Sequence, residues 1–199
     1  MRKPIIITMG DPTGVGPELI LKALIEGLLD DLAHPLLVAG DVDVLVRAAR
    51  IFGAAANLDD GGDGRLLRIA GRTLPVRTVS SLAAEQLAYG RPDAAAGRAM
   101  AGYVEWGVQH CLSGAAAALV TCPISKAAIN AAGIGFPGHT ELLAERCGRD
   151  KVVMMLAGET LKVCLVTTHL GYREVPAALT TEEILATLQI VDVDRKSVV

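Results

Sequence analysis

A glycine-rich loop near the start of the 199-residue sequence is the first candidate for ligand chemistry. Gly10, Gly14 and Gly16 lie between a predicted strand and a predicted helix with Pro17 at its start. Such a turn offers backbone N–H groups and the positive end of a helix dipole to an anion. The spacing fits neither the G-x-G-x-x-G dinucleotide motif nor a phosphate-binding loop ending in Lys-Ser/Thr. The residues alone leave two interpretations open, contact with an anion or substrate and a purely structural turn.

A second candidate is His139, which follows a Pro-Gly pair at or just before a predicted helix start. Thr140 is expected to cap that helix, and Glu141 is favourable near its positive end. An exposed histidine without function is the ordinary interpretation for one such residue. Lys126 favours a functional one, because it follows a predicted strand, and ligands gather beyond the carboxyl ends of strands in open α/β sheets.

The third candidate is His169, which comes after the apolar strand predicted at Leu161–Val166. A neutral imidazole at a strand end is a common metal ligand or general base. The alternative is a buried histidine bonded to the backbone, since no second ligand lies at a short spacing. His34 and His110 have no supporting context and are interpreted as surface or structural residues. These features together indicate only an α/β enzyme with a small polar or anionic ligand, and they leave a metal at His169 as one of two open interpretations.

The elements that must position these residues alternate between strands and helices. We predict strands at Ile5–Met9, Pro35–Ala39, Ala116–Thr121, Val152–Leu156 and Leu161–Thr167, with short strands around Gly71 within Arg65–Val79. We predict helices from Glu18 to about Leu29, from a cap at Asp41 to about Phe52, over Ala94–Leu112, from a cap at Ser125 through Ala131, from Thr140 to about Cys147, and over Thr181–Val191.

This alternation predicts the α/β class, with a largely parallel sheet and flanking helices. The last two strands are close enough to form a hairpin, which is the one antiparallel pair expected. The acidic, glycine-rich segment Leu58–Gly64 is expected to be an exposed turn or linker.

The composition excludes several functional classes. The net charge is −3 with interspersed signs, so the chain has neither a basic nucleic-acid footprint nor a polybasic membrane patch. Its apolar stretches are too short for a membrane span, and the one after Met1 is too short for a signal peptide. We therefore expect a cytoplasmic protein. Its four cysteines form no C-x-x-C pair and are expected to be buried, reduced thiols.

Five stretches together resemble the 4-hydroxythreonine-4-phosphate dehydrogenase family of pyridoxal phosphate biosynthesis. They occur in the family's order and spacing between about residues 4 and 193, and they are Ile7–Glu18, Thr121–Lys126, Pro137–Glu141, Val153–Leu156 and Thr167–His169. The opening Gly10–Glu18 is also similar to the start of isocitrate and isopropylmalate dehydrogenases. The resemblance therefore implies that residues 1–193 are the N-terminal part of a two-lobed dehydrogenase of this fold, which is incomplete without the C-terminal part.

The resemblance also implies a reaction. A secondary alcohol of a small phosphorylated hydroxy-acid, 4-phosphohydroxy-L-threonine, is oxidised by NAD or NADP, and the resulting β-keto acid loses carbon dioxide. His139 and Thr140 correspond to substrate contacts, and His169 corresponds to a ligand of a divalent metal, Zn²⁺, Mg²⁺ or Co²⁺. Asp11 and Lys126 lie in matching motifs without an assigned chemical step, so the catalytic residue is unknown. The family resemblance implies a homodimer.

The same resemblance predicts that the sequence carries an incomplete site. The family has two further metal-binding histidines, and Lys, Asn and Arg contacts to substrate, beyond position 199, so we expect an inactive, C-terminally truncated chain. We interpret residues 194–199 as a non-native tail of the kind that a sequencing adapter encodes. Two alternatives are a 4-phospho-threonate or 4-phospho-erythronate dehydrogenase of sugar-acid catabolism, with dihydrodiol dehydrogenases as a more distant enzyme relative, and a non-catalytic dimerisation or binding module.

Overall fold

A computed structural model describes residues 2–62, 64–135 and 138–197 of the chain. The chain divides into two compact units, Met1–Leu142 and Leu143–Val199. The first unit contains β1 (Ile5–Thr8), α1 (Gly16–Ile25), β2 (Leu36–Gly40), α2 (Val42–Ala49), β3 (Ala56–Asp60), β4 (Arg65–Ile69), β5 (Arg72–Thr78), α3 (Ala94–Leu112), β6 (Ala118–Thr121) and α4 (Lys126–Ala131). Helix α5 (His139–Arg146) begins in it, and the second unit contains β7 (Met154–Ala157), β8 (Lys162–Leu165), α6 (Val175–Ala178) and α7 (Thr181–Ser197).

The first unit is built on a six-stranded sheet with the order β3-β4-β5-β2-β1-β6. Strands β5, β2, β1 and β6 are parallel, and in the register Thr8 of β1 lies beside Ala39 of β2 and Thr121 of β6. The carboxyl ends of β1 and β6 therefore meet at one edge of the sheet. The α/β prediction with a largely parallel central sheet and flanking helices is confirmed.

The other half of the sheet is antiparallel, and here two predictions are wrong. Strand β3 pairs antiparallel with β4, and β4 pairs antiparallel with β5. Together with the β7–β8 hairpin, the described residues contain three antiparallel pairs, whereas one was predicted. Ala70 and Gly71 have φ values of 50° and 75°, which is the left-handed geometry of a tight hairpin turn. The predicted turn over Leu58–Gly64 is strand through Asp60, because Leu58 packs against the hydrophobic core.

Two layers of side chains cover the sheet. Neighbouring residues of a strand point to opposite faces, and Val38 and Ala39 in β2 follow this rule. Val38 joins the main core, to which Leu21 of α1 and Leu45 of α2 also belong. Ala39 joins a smaller cluster against which Trp106 of α3 packs.

Several helix boundaries differ from the predicted ones for local reasons. Helix α1 ends at Ile25 rather than near Leu29, because Gly27 has a φ of 75° and turns the chain away. The predicted cap at Asp41 is confirmed, since its carboxylate accepts hydrogen bonds from two backbone N–H groups of α2. After Ala49, α2 continues as a short 3₁₀ turn that reaches the predicted end at Phe52.

The second unit has the two predicted strands, with β7 displaced to Met154–Ala157, and the predicted helix α7, together with the short helix α6 that was not predicted. Strands β7 and β8 form an antiparallel hairpin closed by a hydrogen bond from the Gly158 N–H to the Leu161 carbonyl. Helix α7 begins at the predicted Thr181, where the Thr180 hydroxyl accepts a hydrogen bond from the Glu183 N–H. The helix extends beyond the predicted end at Val191.

The four cysteines are free, as predicted, but they are not all buried. Cys147 is exposed just after the last residue of α5, and the others are partly buried. Burial raises the pKa of the Cys122 thiol to about 11, which keeps it protonated at neutral pH. In the part of the chain that the structure describes, none of the helices is both long and apolar enough to cross a bilayer.

Candidate substrate site

The candidate site in the first unit is built at the edge where β1 and β6 end. The Cys122 N–H donates to the Thr8 carbonyl at 3.1 Å, and the Asp11 N–H donates to the Pro123 carbonyl at 2.8 Å. The loop after β1 is therefore joined directly to the segment after β6. This is the edge at which ligands bind in open α/β sheets.

The glycines of the first loop allow this close approach. Gly10 has a φ of 75°, and a Cβ there would collide with the Pro123 carbonyl oxygen. A Cβ on Gly16 would collide with the Met9 carbonyl oxygen and lie 3.0 Å from the Cβ of Cys122. These contacts favour the structural interpretation of the glycines over an anion cradle.

Asp11 is engaged within the same loop. One of its carboxylate oxygens accepts hydrogen bonds from the Thr13 N–H and the Thr13 hydroxyl, each at 2.8 Å. This is a local turn in which an Asp side chain replaces a backbone acceptor. The bonds account for an Asp and a Thr at these two positions without assigning either a chemical step.

Helix α4 begins five residues after the end of β6. The Ser125 hydroxyl accepts a hydrogen bond from the Ala128 N–H at 3.3 Å, which confirms the predicted cap. The Ser125 N–H also lies 3.3 Å from the Met100 sulfur of α3. The cap and this contact fix the start of α4, where Lys126 is the first residue.

The structure brings Lys126 to the segment that contains His139. A Cβ built on Gly138, which is buried, would lie 2.8 Å from the Lys126 ammonium nitrogen and would collide with a carboxylate oxygen of Glu141. Any larger residue at position 138 would displace these two charged groups. The connection inferred from the position of Lys126 along the sequence is therefore present in the folded unit.

His139 is half-buried at the first position of α5. Burial lowers the pKa of its imidazole, and the Lys126 ammonium lowers that pKa further. Both causes favour the neutral ring, which offers one hydrogen-bond donor and one acceptor. Thr140 is exposed in the first turn of α5, so the prediction that it caps the helix is wrong, because the helix already begins at His139.

His169 lies in the second unit, after β8, and it is exposed. Its backbone has a φ of 58°, an uncommon conformation for a residue with a side chain and one that recurs at functional sites. Across residues 2–62, 64–135 and 138–197, no three His, Cys, Asp or Glu side chains converge as a metal site would require. His169 therefore offers a single donor here, and its sharing of one site with His139 stays a prediction.

A family model for the pyridoxal phosphate biosynthetic protein PdxA matches residues 31–198. This range covers most of the chain and includes the Lys126, His139 and His169 motifs. The chain belongs to the PdxA family. The resemblance drawn from the sequence motifs is thereby confirmed.

Individual PdxA relatives agree with this assignment. The chain is 43% identical over 186 residues to the 4-hydroxythreonine-4-phosphate dehydrogenase of Geobacter metallireducens, and 41% identical over 187 residues to that of Trichlorobacter lovleyi. Each match covers 94% of this chain and 55% of the relative. A crystal structure of 4-hydroxythreonine-4-phosphate dehydrogenase from Klebsiella pneumoniae matches with a TM-score of 0.81 and 32% identity, covering 96% of this chain and 58% of that one. The chain thus spans little more than half the length of these relatives.

The sequence did not reveal two buried hydrogen-bond networks that hold the loops at this edge of the sheet. The Asp41 carboxylate is buried and also accepts hydrogen bonds from the Ser80 hydroxyl and the Leu82 N–H, at 3.2 and 2.6 Å. The buried guanidinium of Arg47 donates to three backbone carbonyls. The one signal in the sequence for the Arg47 hydrogen bonds was the presence of an arginine within an otherwise apolar helix face.

The two remaining histidines have structural surroundings, as predicted. His34 Nδ1 lies 2.8 Å from the Lys3 carbonyl. His110 Nδ1 lies 2.8 Å from the Trp106 carbonyl, and its ring stacks on the indole with centroids 3.7 Å apart.

Proposed function

We propose that this chain provides part of the site of a 4-hydroxythreonine-4-phosphate dehydrogenase, which oxidises 4-phosphohydroxy-L-threonine with NAD or NADP and decarboxylates the product in pyridoxal phosphate biosynthesis. The observation that carries the proposal is the placement of Lys126 beside Gly138 and His139, in a chain whose relatives bear that enzyme's name. The sugar-acid alternative is not favoured by the relatives described above.

The described residues suit a phosphorylated hydroxy-acid. Helix α5 presents its N-terminal end at His139, where N–H groups and the helix dipole attract negative charge. The Lys126 ammonium adds a positive charge at the same place, part of which the neighbouring Glu141 carboxylate offsets. The neutral imidazole of His139 and the exposed hydroxyl of Thr140 supply directional hydrogen bonds to hydroxyl or carboxylate groups. We assign substrate binding, and no proton transfer, to His139 and Thr140.

The divalent metal enters this proposal through one residue. The exposed imidazole of His169 fits a single position in a metal's coordination shell, and the other donors are not found among the described residues. A bound metal of this kind polarises the substrate alcohol and stabilises the charge that develops on its oxygen. One imidazole binds Zn²⁺ or Co²⁺ weakly, so the chain alone is proposed to be inactive.

The remaining family properties are carried forward as proposals for the whole protein. NAD or NADP accepts the hydride, and no residue of this chain is assigned to bind it. The isocitrate dehydrogenase-like two-lobed arrangement, the homodimer and the cytoplasmic location rest on the family resemblance in the same way.

Substrate binding by the purified 199-residue chain tests the proposal. In an NMR titration with 4-phosphohydroxy-L-threonine we expect saturable shifts of the His139 ring signals. His139→Ala should weaken binding about tenfold or more, since a hydrogen bond to a charged group contributes about 1.5–3 kcal/mol. No reduction of NAD or NADP is expected in the same samples.

His34→Ala is the matched control, because His34 lies just before β2, at the opposite end of the parallel strands from the candidate site, where its Nδ1 is 2.8 Å from the Lys3 carbonyl. It should leave the affinity unchanged. Absence of saturable binding to the unsubstituted chain, at a concentration where light scattering shows no aggregates, would overturn the proposal. Tighter binding of 4-phospho-threonate than of 4-phosphohydroxy-L-threonine would select the sugar-acid enzyme instead.

A further inference from the structure

Arg47 of α2 is a buried cation that joins three segments of the first unit. Its side chain donates hydrogen bonds to the carbonyls of Ala84 at 2.5 Å, Leu87 at 2.7 Å and Pro12 at 3.1 Å. Its guanidinium also lies 4.3 Å from the centre of the Tyr89 ring. The residue is 7% exposed, so these groups replace water around the charge.

Such an arrangement constrains its acceptors. Burying a cation is costly unless its donors are satisfied. The two terminal nitrogens of Arg47 make the three hydrogen bonds, whereas its Nε is buried without one. The ion pairs found in the described part of the chain do not include Arg47. The charge is instead compensated by three carbonyl dipoles and an aromatic face. Because each carbonyl must point at the guanidinium, Arg47 determines where the Pro12 carbonyl lies.

The loop held by Arg47 is the one that contacts the start of α4. The Gly90 N–H donates a hydrogen bond to the Thr13 carbonyl at 2.8 Å, so the segment after Leu87 makes a second contact with this loop. On the other side, the Asp11 N–H donates to the Pro123 carbonyl at 2.8 Å. A Cβ on Gly10 would lie only 2.9 Å from the Cβ of Cys122, so the two segments are packed without a gap.

We propose that Arg47 is a positioning residue of the candidate site. Its guanidinium holds the Asp11–Thr13 loop, and the Asp11–Pro123 hydrogen bond connects this loop to the segment before α4. The start of α4 in turn places Lys126 beside Gly138. Close-packed segments transmit a displacement rather than absorb it. Loss of the guanidinium therefore displaces Pro12, then Pro123, and then the Lys126 ammonium. That this network affects substrate binding rests on the proposed function. The hydrogen bonds of the network do not depend on that function.

A double-mutant cycle read at His139 tests the proposal without any substrate. The variants are Arg47→Met, Lys126→Gln and the two combined, and NMR titration follows the ring protons of each histidine. We expect Arg47→Met to raise the pKa of His139 toward its ordinary 6.5, because the Lys126 ammonium moves away. Lys126→Gln should raise it as well. In the Lys126→Gln background, Arg47→Met should add little.

Two controls separate this role from general destabilisation. Urea unfolding should show that each variant is folded. Arg50→Met removes an exposed arginine of the neighbouring turn, which pairs with Glu85, and should leave the pKa of His139 unchanged. If Arg47→Met does not fold, Arg47→Lys takes its place, because an ammonium is unable to reach all three carbonyls in the geometry of the guanidinium fork.

The outcomes are decisive in each case. An unchanged pKa of His139 in a folded Arg47 variant overturns the proposal, as does a shift of the same size with and without Lys126. Since the experiment contains no substrate, a failure to bind 4-phosphohydroxy-L-threonine would count against the proposed function and leave the Arg47 network intact.

Discussion

At the scale of single residues, the most informative group is the His139 imidazole. The fold places it half-buried and next to a lysine, and both surroundings disfavour its protonated form. Of these, the Lys126 ammonium favours an anionic ligand over a cationic one, and the nearby Glu141 carboxylate offsets part of that preference. A residue that seems an ordinary loop histidine in the sequence thus acquires a specific protonation state from its surroundings.

This protonation state makes a prediction about stability. Because the pKa of His139 is lower in the folded chain than the ordinary 6.5, the unfolded chain binds a proton more readily. The contribution of His139 to the free energy of unfolding should therefore fall as the pH decreases below about 6.5, until the folded-state pKa is reached. Urea unfolding at pH 7.5 and pH 5.5, compared between the unsubstituted chain and His139→Asn, measures this contribution.

The difference between the two proteins should be smaller at pH 5.5 than at pH 7.5. Lys126→Gln should weaken the pH dependence, since one of its two causes is removed. His34→Asn serves as the control for a general effect of losing an imidazole. An identical pH dependence in the unsubstituted chain and His139→Asn would contradict the lowered pKa.

At the scale of elements, the crossing of α3 and α4 controls how the site is presented. Gly97 of α3 lies so close to α4 that a Cβ there would collide with the Ala128 carbonyl oxygen. Ala128 is the residue whose N–H bonds the Ser125 cap. The position of α4 is thus determined by a glycine of another helix as well as by its own cap.

Two glycines of α3 provide a matched test of this crossing. Gly97→Ala should destabilise the chain by about 1–3 kcal/mol, because the new methyl group overpacks against the backbone of α4. Gly102→Ala should stabilise it by roughly 0.5–1 kcal/mol, since its nearest neighbour would be a Val79 methyl at 3.8 Å and alanine favours the helix. Urea unfolding measures both, and equal effects of the two substitutions would contradict the close crossing.

At the scale of the whole molecule, the second unit exposes many large apolar side chains. On α7, Leu185 and Leu188 are 53% and 59% exposed, and on the hairpin Leu156 and Leu161 are 59% and 69% exposed. A two-stranded hairpin also leaves strand edges unpaired, which favours pairing with other chains. These exposed apolar side chains and unpaired strand edges favour aggregation of this chain when it is expressed alone.

We therefore predict that the purified chain self-associates and that polar substitution in the second unit reduces this. Leu185→Lys combined with Leu188→Lys should lower the scattered intensity in dynamic light scattering at a given concentration. Leu28→Lys, which replaces one of the exposed leucines of the first unit, should change the scattered intensity much less. A monodisperse monomer without any substitution would argue instead for a self-contained binding module.

The sequence by itself determined the local elements, because their signals are local. The run Ala94–Leu112, the cap at Ser125, and the strand, loop and helix that begin at Ile5 follow from the periodicity of apolar side chains and from turn residues a few positions apart. The family also followed from short motifs in register. Strand β3 was missed because its acidic end runs into a glycine-rich segment that is typical of a turn, and pairing with β4 overrides that local signal.

Only the tertiary structure decided which distant residues meet. The sheet order places the loop after β1 beside the segment after β6, more than a hundred residues later, and Arg47 then bonds Pro12 from a third element. Neither contact leaves a periodic signal, because each depends on strand order and on close packing rather than on spacing along the chain. The lowered pKa of His139 also depends on the tertiary structure, since burial and a lysine brought near by folding produce it.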